Sequence, residues 1–223
     1  MAGTVKRPYE SPRRRAQAEA TRRQILAAAQ RLFEAQGYAA TTMAAIAKEA
    51  GVALKTVYVA FETKGGLLRA LWHVLLRGDE ADVAVQDRSW YRAVLAEPDP
   101  GRRLDRTAHN SRVVKERAGA LLQAIHAGAA VDDDVAGLWE RIEGDFYDNQ
   151  RGIVQTLADD GALRQGVDLA RGTDILWTLN HPDVWHLLVH VRGWTPEQWE
   201  AWFAASARMQ LLATRRTRSR AAR

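Results

Sequence analysis

Residues 41–64 read TTMAAIAKEAGVALKTVYVAFETK, and the order of residue types in this stretch decides the fold. Thr41 or Thr42 stands where a helix start needs a side-chain oxygen, and Ile46-Ala47 face inward from a short helix that runs through Ala50. Gly51 makes the turn. A second short helix, about Ala53 to Val59, comes next, followed by Phe61 and a longer helix from about Lys64 to Arg77 with Leu67, Leu68, Leu71 and Leu75 inward. On the N-terminal side a helix of about Ala18 to Gln36 sets Ile25, Ala28, Leu32 and Phe33 on one face and Arg22, Arg23 and Arg31 on others. Gly37 ends it, in a left-handed position that side-chained residues resist. Tyr38 and Phe61 read as core residues.

Helical periodicity continues to the far end, and no run of alternating β-branched residues argues for a sheet, so the expected class is all-α. Ser89 to Ala96 forms a short helix. Asp99-Pro100 caps another that runs to about Ala130, with a break near Gly119. Asp132 to Asp134 begin the clearest helix, in which Val135, Leu138, Ile142, Phe146, Ile153 and Leu157 repeat until Asp160-Gly161. Asp168 starts one that ends near Asn180, and His181-Pro182-Asp183 starts another that stops at Gly193. Thr195-Pro196-Glu197-Gln198 has the residues of a capping box, and the helix it opens carries Trp199, Trp202, Phe203 and Ser206 on one face.

The net charge of +5 is segregated. Residues 1–70 hold twelve Lys and Arg against five acids, residues 214–223 hold five Arg and no acid, and the stretch between is acidic. A basic head suits a polyanion, because neutralising phosphates releases counterions. The 223 residues suffice for two units. The expected division is a basic arm at 1–16, a helix-turn-helix domain at 17–63, a helical regulatory and dimerisation domain at 64–213, and an Arg-rich tail at 214–223. With no cysteine, disulfides and thiolate chemistry are excluded. No apolar run approaches the roughly 18 residues of a membrane span and no secretion signal follows the basic start, so the expectation is a cytoplasmic protein without a membrane partner.

Two short helices joined by a tight turn can hold the second in a DNA major groove, about 12 Å wide. Residues 21–72 resemble the DNA-binding domain of the tetracycline-repressor (TetR) family of bacterial regulators. The resemblance rests on Ile25, Ala28, Leu32-Phe33, Gly37-Tyr38, Thr41-Thr42, Ile46-Ala47, Ala50-Gly51-Val52, Thr56-Val57-Tyr58, Phe61, Lys64 and Leu67-Leu68. It implies that the helix near Ala53 to Val59 enters the groove, with Lys55 as the main base-contacting candidate beside Leu54 and Thr56. Thr41, Thr42, Ala53, Tyr58 and Lys64 complete the candidate DNA-binding set, with Thr42, Tyr58 and Lys64 expected at phosphates. Arg13 to Arg15 are expected along DNA as well. Two departures from the family pattern matter. Ala53 stands where serine is usual and cannot cap its helix through a side chain, at a cost of roughly 1 kcal/mol. Val59-Ala60 replaces a frequent pair of histidines.

Of eight tryptophans, seven lie beyond residue 80, where bulky rings chiefly fill a core. A pocket between the central helices has His109, Val113, Trp139, Ile142, Phe146, Trp177 and Asn180 as candidate lining, an apolar wall with polar handles for a small-molecule effector. Asp183, His186 and His190 have a spacing open to a metal, but a surface histidine pair is the commoner reading. No cofactor is expected. The family resemblance implies that Pro182–Arg192 and Pro196–Ala213 pair with their copies in a homodimer on double-stranded operator DNA, most simply a repressor released by its effector. No nucleophile with its base and no phosphate cradle points to an enzyme. An enzyme with an accessory DNA-binding head and a ligand-independent DNA-binding protein are the alternative readings.

Overall fold

The computed structural model describes residues 12–77 and 85–213. All but the final part of the expected N-terminal arm, and the Arg-rich tail, lie outside them. α1 (Pro12–Ala40) is broken by non-helical geometry at Gly37 (φ 76°, ψ 178°). It therefore starts earlier than the composition suggested. Proline in the first helical turn loses no hydrogen bond, and Arg13, Arg14 and Arg15 follow it as exposed helical residues rather than as arm.

α2 (Met43–Ala50) is capped by Thr42, whose hydroxyl accepts from the amide of Ala45 at 3.1 Å, and ends at left-handed Gly51. α3 (Leu54–Phe61) runs two residues beyond Val59 and buries Val57 and Phe61. α4 (Lys64–Arg77) buries Leu67, Leu68, Leu71 and Trp72. These inward residues pack with Ile25, Phe33 and Ile46, and the same core continues into the C-terminal half of α6 and the N-terminal half of α7. The head is thus fused to the body through apolar contact.

After α5 (Ser89–Leu95), α6 (Pro100–Ala129) is one unbroken helix capped by Asp99. Gly119 does not break it as expected. Instead it gives room to Trp185, whose Nε1 would lie 3.3 Å from an added Cβ. α7 (Asp133–Asp159) is capped by Asp132, and α8 (Leu169–Leu179) by Asp168. α9 (Pro182–Trp185) widens into a π-helical stretch, His186–Val191. α10 (Pro196–Leu211) opens with the full capping box of Thr195 and Gln198. Trp199, Phe203 and Leu211 of α10 join Leu104, Ile153, Val154, Leu157, Leu176 and Trp185 in a second core. An antiparallel bridge between Leu163 and Leu212 ties the end of α10 to the loop after α7. Among the described residues no helix is long and apolar enough to cross a membrane.

Candidate nucleic-acid interface and ligand cavity

α3 divides cleanly into two faces. Val57 is fully buried and Phe61 nearly so, while Leu54, Lys55, Tyr58 and Val59 are exposed. A helix with 3.6 residues per turn places positions 54, 55, 58 and 59 on one strip. The angle of that strip is held from α1. Arg22 donates to the carbonyl of Ala60 at 2.8 Å, with its guanidinium 4.3 Å over the Phe61 ring. Arg31 holds Glu49 of α2 at 2.8 Å.

Tyr58 stands half exposed, which agrees with a contact role better than with a core one. Thr56 is half-buried, and its backbone amide donates to the carbonyl of Ala53 at 2.8 Å. Ala53 is an extended N-cap with no side-chain bond. Thr42 is exposed beside the amides that open α2. Val59, the most exposed large apolar residue on this face, was not among the candidates.

Two candidates are placed elsewhere. Thr41 is fully buried, and its hydroxyl donates back to the carbonyl of Gly37 at 2.8 Å, closing the break in α1. Lys64 points inward. Its ammonium donates to the carbonyls of Tyr38 (2.9 Å) and Thr41 (3.0 Å) and lies 3.9 Å over the Tyr38 ring. Burial lowers its pKa and Asp132 opposes that shift. A cation at a helix start calls for nearby negative charge; here carbonyls and a carboxylate supply it, where the sequence suggested a phosphate. The Tyr38 hydroxyl in turn donates to Asp132, the N-cap of α7, and Thr63 reaches Asp134 at 3.3 Å. Burial, then Asp132, hold the Tyr38 phenol well above its ordinary range.

A cavity of about 710 Å³ lies where the two cores meet. α4 lines it with Trp72 and His73, the segment before α5 with Arg88, α5 with Trp90 and Tyr91, and α7 with Trp139, Ile142 and Phe146. Of the seven candidates, Trp139, Ile142, Phe146 and Asn180 line it. Three do not. His109 is exposed and faces Glu200 of α10 at 3.4 Å; Val113 is exposed on the same side of α6. Trp177 packs edge-on against Tyr147 and His181.

Among the lining residues that the sequence reading missed, Lys115 stands out. It is buried and lines the cavity, with Nζ 2.6 Å from Asn180 Oδ1. The Asn180 amide group donates to Ser111 Oγ (2.9 Å) and Gln150 Oε1 (3.3 Å). Desolvation alone pushes Lys115 down to about 7. His181, whose Nδ1 accepts from the Asp183 amide at 3.2 Å, is lowered first by burial, with Asp183 and Glu143 opposing. The Asp183 carboxylate faces His126 and His181 instead of His186 and His190. Among the described residues no three His, Cys, Asp or Glu side chains are grouped to hold a metal.

Comparison with known proteins agrees with this architecture. Residues 25–71 match the family model of bacterial regulatory proteins of the tetR family. Over 161 residues, 69% of this chain and 71% of the relative, the sequence is 29% identical to the HTH-type transcriptional regulator TtgR of Pseudomonas putida. Among solved structures, NalD, the secondary repressor of the MexAB-OprM multidrug efflux pump in Pseudomonas aeruginosa, superposes with a TM-score of 0.66 at 20% identity, over 87% of this chain and 98% of that one. A transcriptional regulator from Saccharomonospora viridis, solved in complex with choline, superposes with a TM-score of 0.69 at 16% identity, over 88% and 100% of the two chains.

Proposed function

We propose that this chain, whose N-terminal domain belongs to the TetR family of bacterial regulatory proteins, is a homodimeric repressor that leaves an inverted-repeat operator when a small molecule fills the cavity of its body. The observation that carries this reading is the outward strip of α3, presented at a fixed angle beside the capped start of α2. Lys55 donates to guanine O6 and N7, and Leu54 makes apolar contact with base edges. Thr42, the first amides of α2 and Tyr58 contact phosphates, which set register without reading sequence. The basic head raises affinity for any duplex, and the α3 contacts choose among duplexes.

Two heads are needed to read two half-sites about 34 to 36 Å apart. The π-helical stretch and α10 carry the exposed apolar residues Leu187, Val191 and Met209, and pairing with a second copy there covers them. α4 leaves the head at Lys64 and reaches the cavity with Trp72 and His73, so an occupant pressing on Trp72 moves the base of the head. Release requires the effector to bind the spread arrangement of heads better than the DNA-bound one. That one structural neighbour represses an efflux pump and another holds choline is consistent with a sensing role. The cavity favours this reading over a ligand-independent DNA-binding protein. The chain's work is binding, not catalysis.

Selection of bound duplexes from a random pool tests the proposal, and the expected outcome is one inverted repeat. Lys55→Ala and Tyr58→Ala are each expected to weaken binding to that repeat by tenfold or more, with the dimer intact by light scattering. Unaltered affinity in both variants, or a monomer in solution, would overturn the assignment.

A further inference from the structure

The floor of the cavity holds a cation without an anion. Lys115 is 6% exposed, and among the described residues it makes no ion pair; its one hydrogen bond goes to Asn180. Of three ammonium protons, two remain. The nearest ring faces, Trp199 at 5.0 Å and Phe146 at 5.7 Å, offer only diffuse attraction. Asn180 gives Lys115 a neutral carbonyl oxygen, and its amide group is held by Ser111 and Gln150. Burying an ammonium without a counter-charge is costly, and a partner that brings one recovers that cost.

The elements packed around Lys115 do not supply this charge. α10 brings Trp199, α7 brings Phe146 and Gln150, and the end of α8 brings Asn180. Glu143 also lines the cavity, but it lies 3.6 Å from His181. Asp145 and Asp148 line it as exposed, solvent-screened residues. His73, Arg88 and Tyr91 are the remaining titratable groups of the lining. Trp139 and Phe146 give the walls an aromatic character, and the Phe146 ring lies 5.7 Å from the Lys115 ammonium.

We infer that the effector is an aromatic acid, with its carboxylate bonded to the two remaining Lys115 protons and its ring held among Trp139, Ile142 and Phe146. This deepens the effector reading of the cavity and rests on it. Occupation brings a negative charge to Lys115, so an amine that is partly neutral in the empty protein gains its proton on binding.

The test uses the full chain without DNA and three probes of one shape: 2-naphthoate, naphthalene-2-carboxamide and 2-naphthylmethylammonium. Binding is followed by tryptophan fluorescence and calorimetry. The expected order places naphthoate at least tenfold ahead of the amide, with the cation weakest. Lys115→Met is expected to remove this preference, and calorimetry at pH 8 in two buffers of different ionisation heat should show net proton uptake by the unsubstituted chain. If the variant does not fold, proton uptake and probe order in the unsubstituted chain decide alone. A tighter fit of the cation, unchanged naphthoate affinity in a folded variant, or no binding of any probe at millimolar concentration overturns the inference. As no DNA is present, such a failure leaves operator recognition by α3 standing. Naphthoate binding that does not release operator DNA would instead count against the coupling.

Discussion

At the scale of single residues, Lys115 has a consequence that needs no ligand. Its amine titrates near 7 in the folded chain and near about 10.4 when unfolded. Between these values the unfolded chain binds more protons, so the contribution of Lys115 to stability rises with pH across that window and is flat on either side. From pH 7 to pH 9 the gain from this group is about 2 kcal/mol. Tyr91, pushed up to about 12 by burial, acts with the opposite sign, but only above about pH 10. Urea melts at pH 7 and pH 9 should therefore show a rise in the unsubstituted chain that Lys115→Met lacks. A parallel rise in both proteins would assign it to other groups. Lys115 was open to discovery in the sequence. Leu104, Ala108, Ser111, Lys115, Ala118, Leu122 and Ile125 follow one another at alternating steps of four and three, the spacing of an inward stripe. His109 and Val113 lie beside that stripe, out of its helical phase, and are exposed.

At the scale of elements, helix starts were the most readable feature because each one solves a local problem. Unpaired amides need an acceptor, and Thr42, Asp99, Asp132, Asp168 and Thr195 supply it where the sequence suggested. Features that depend on distant partners were not readable. Gly119 looks like a helix breaker until Trp185 is seen against it. Lys64 does not reveal locally that it will face Tyr38. The π-helical widening at His186–Val191 leaves no mark in a 3.6-residue period. α3, like α5, starts without a side-chain cap: Ala53 has the extended backbone of an N-cap (φ −66°, ψ 142°) but no side-chain oxygen. Ala53→Ser is expected to stabilise the chain by about 1 kcal/mol in thermal or denaturant melts. It should also tighten operator binding, since its hydroxyl would stand beside the DNA-facing strip. A stabilised variant with unchanged DNA affinity would place the start of α3 away from the phosphates.

At the scale of the whole molecule, head and body meet at a corner where Lys64 holds Tyr38, Tyr38 holds Asp132, and Thr63 reaches Asp134. Gly128 belongs to the same joint, because an added Cβ would lie 2.8 Å from the Tyr38 ring. Tyr38→Phe removes the bond to Asp132 and keeps the ring. The expected outcome is operator affinity within about threefold of the original and a weaker loss of that affinity on adding effector, measured as the ratio of DNA dissociation constants with and without it. An unchanged ratio would move the coupling to α4. The unbroken course of α6 has a mechanical meaning. At 1.5 Å per residue, the distance from Lys115 to the end at Ala129 is about 21 Å, and both points lie on one stiff rod. A pivot of about 5° at the cavity swings that end by roughly 2 Å. A guest far smaller than the protein thus acts through a long arm, with the gearing set by a glycine that packs against an indole without interrupting the shaft.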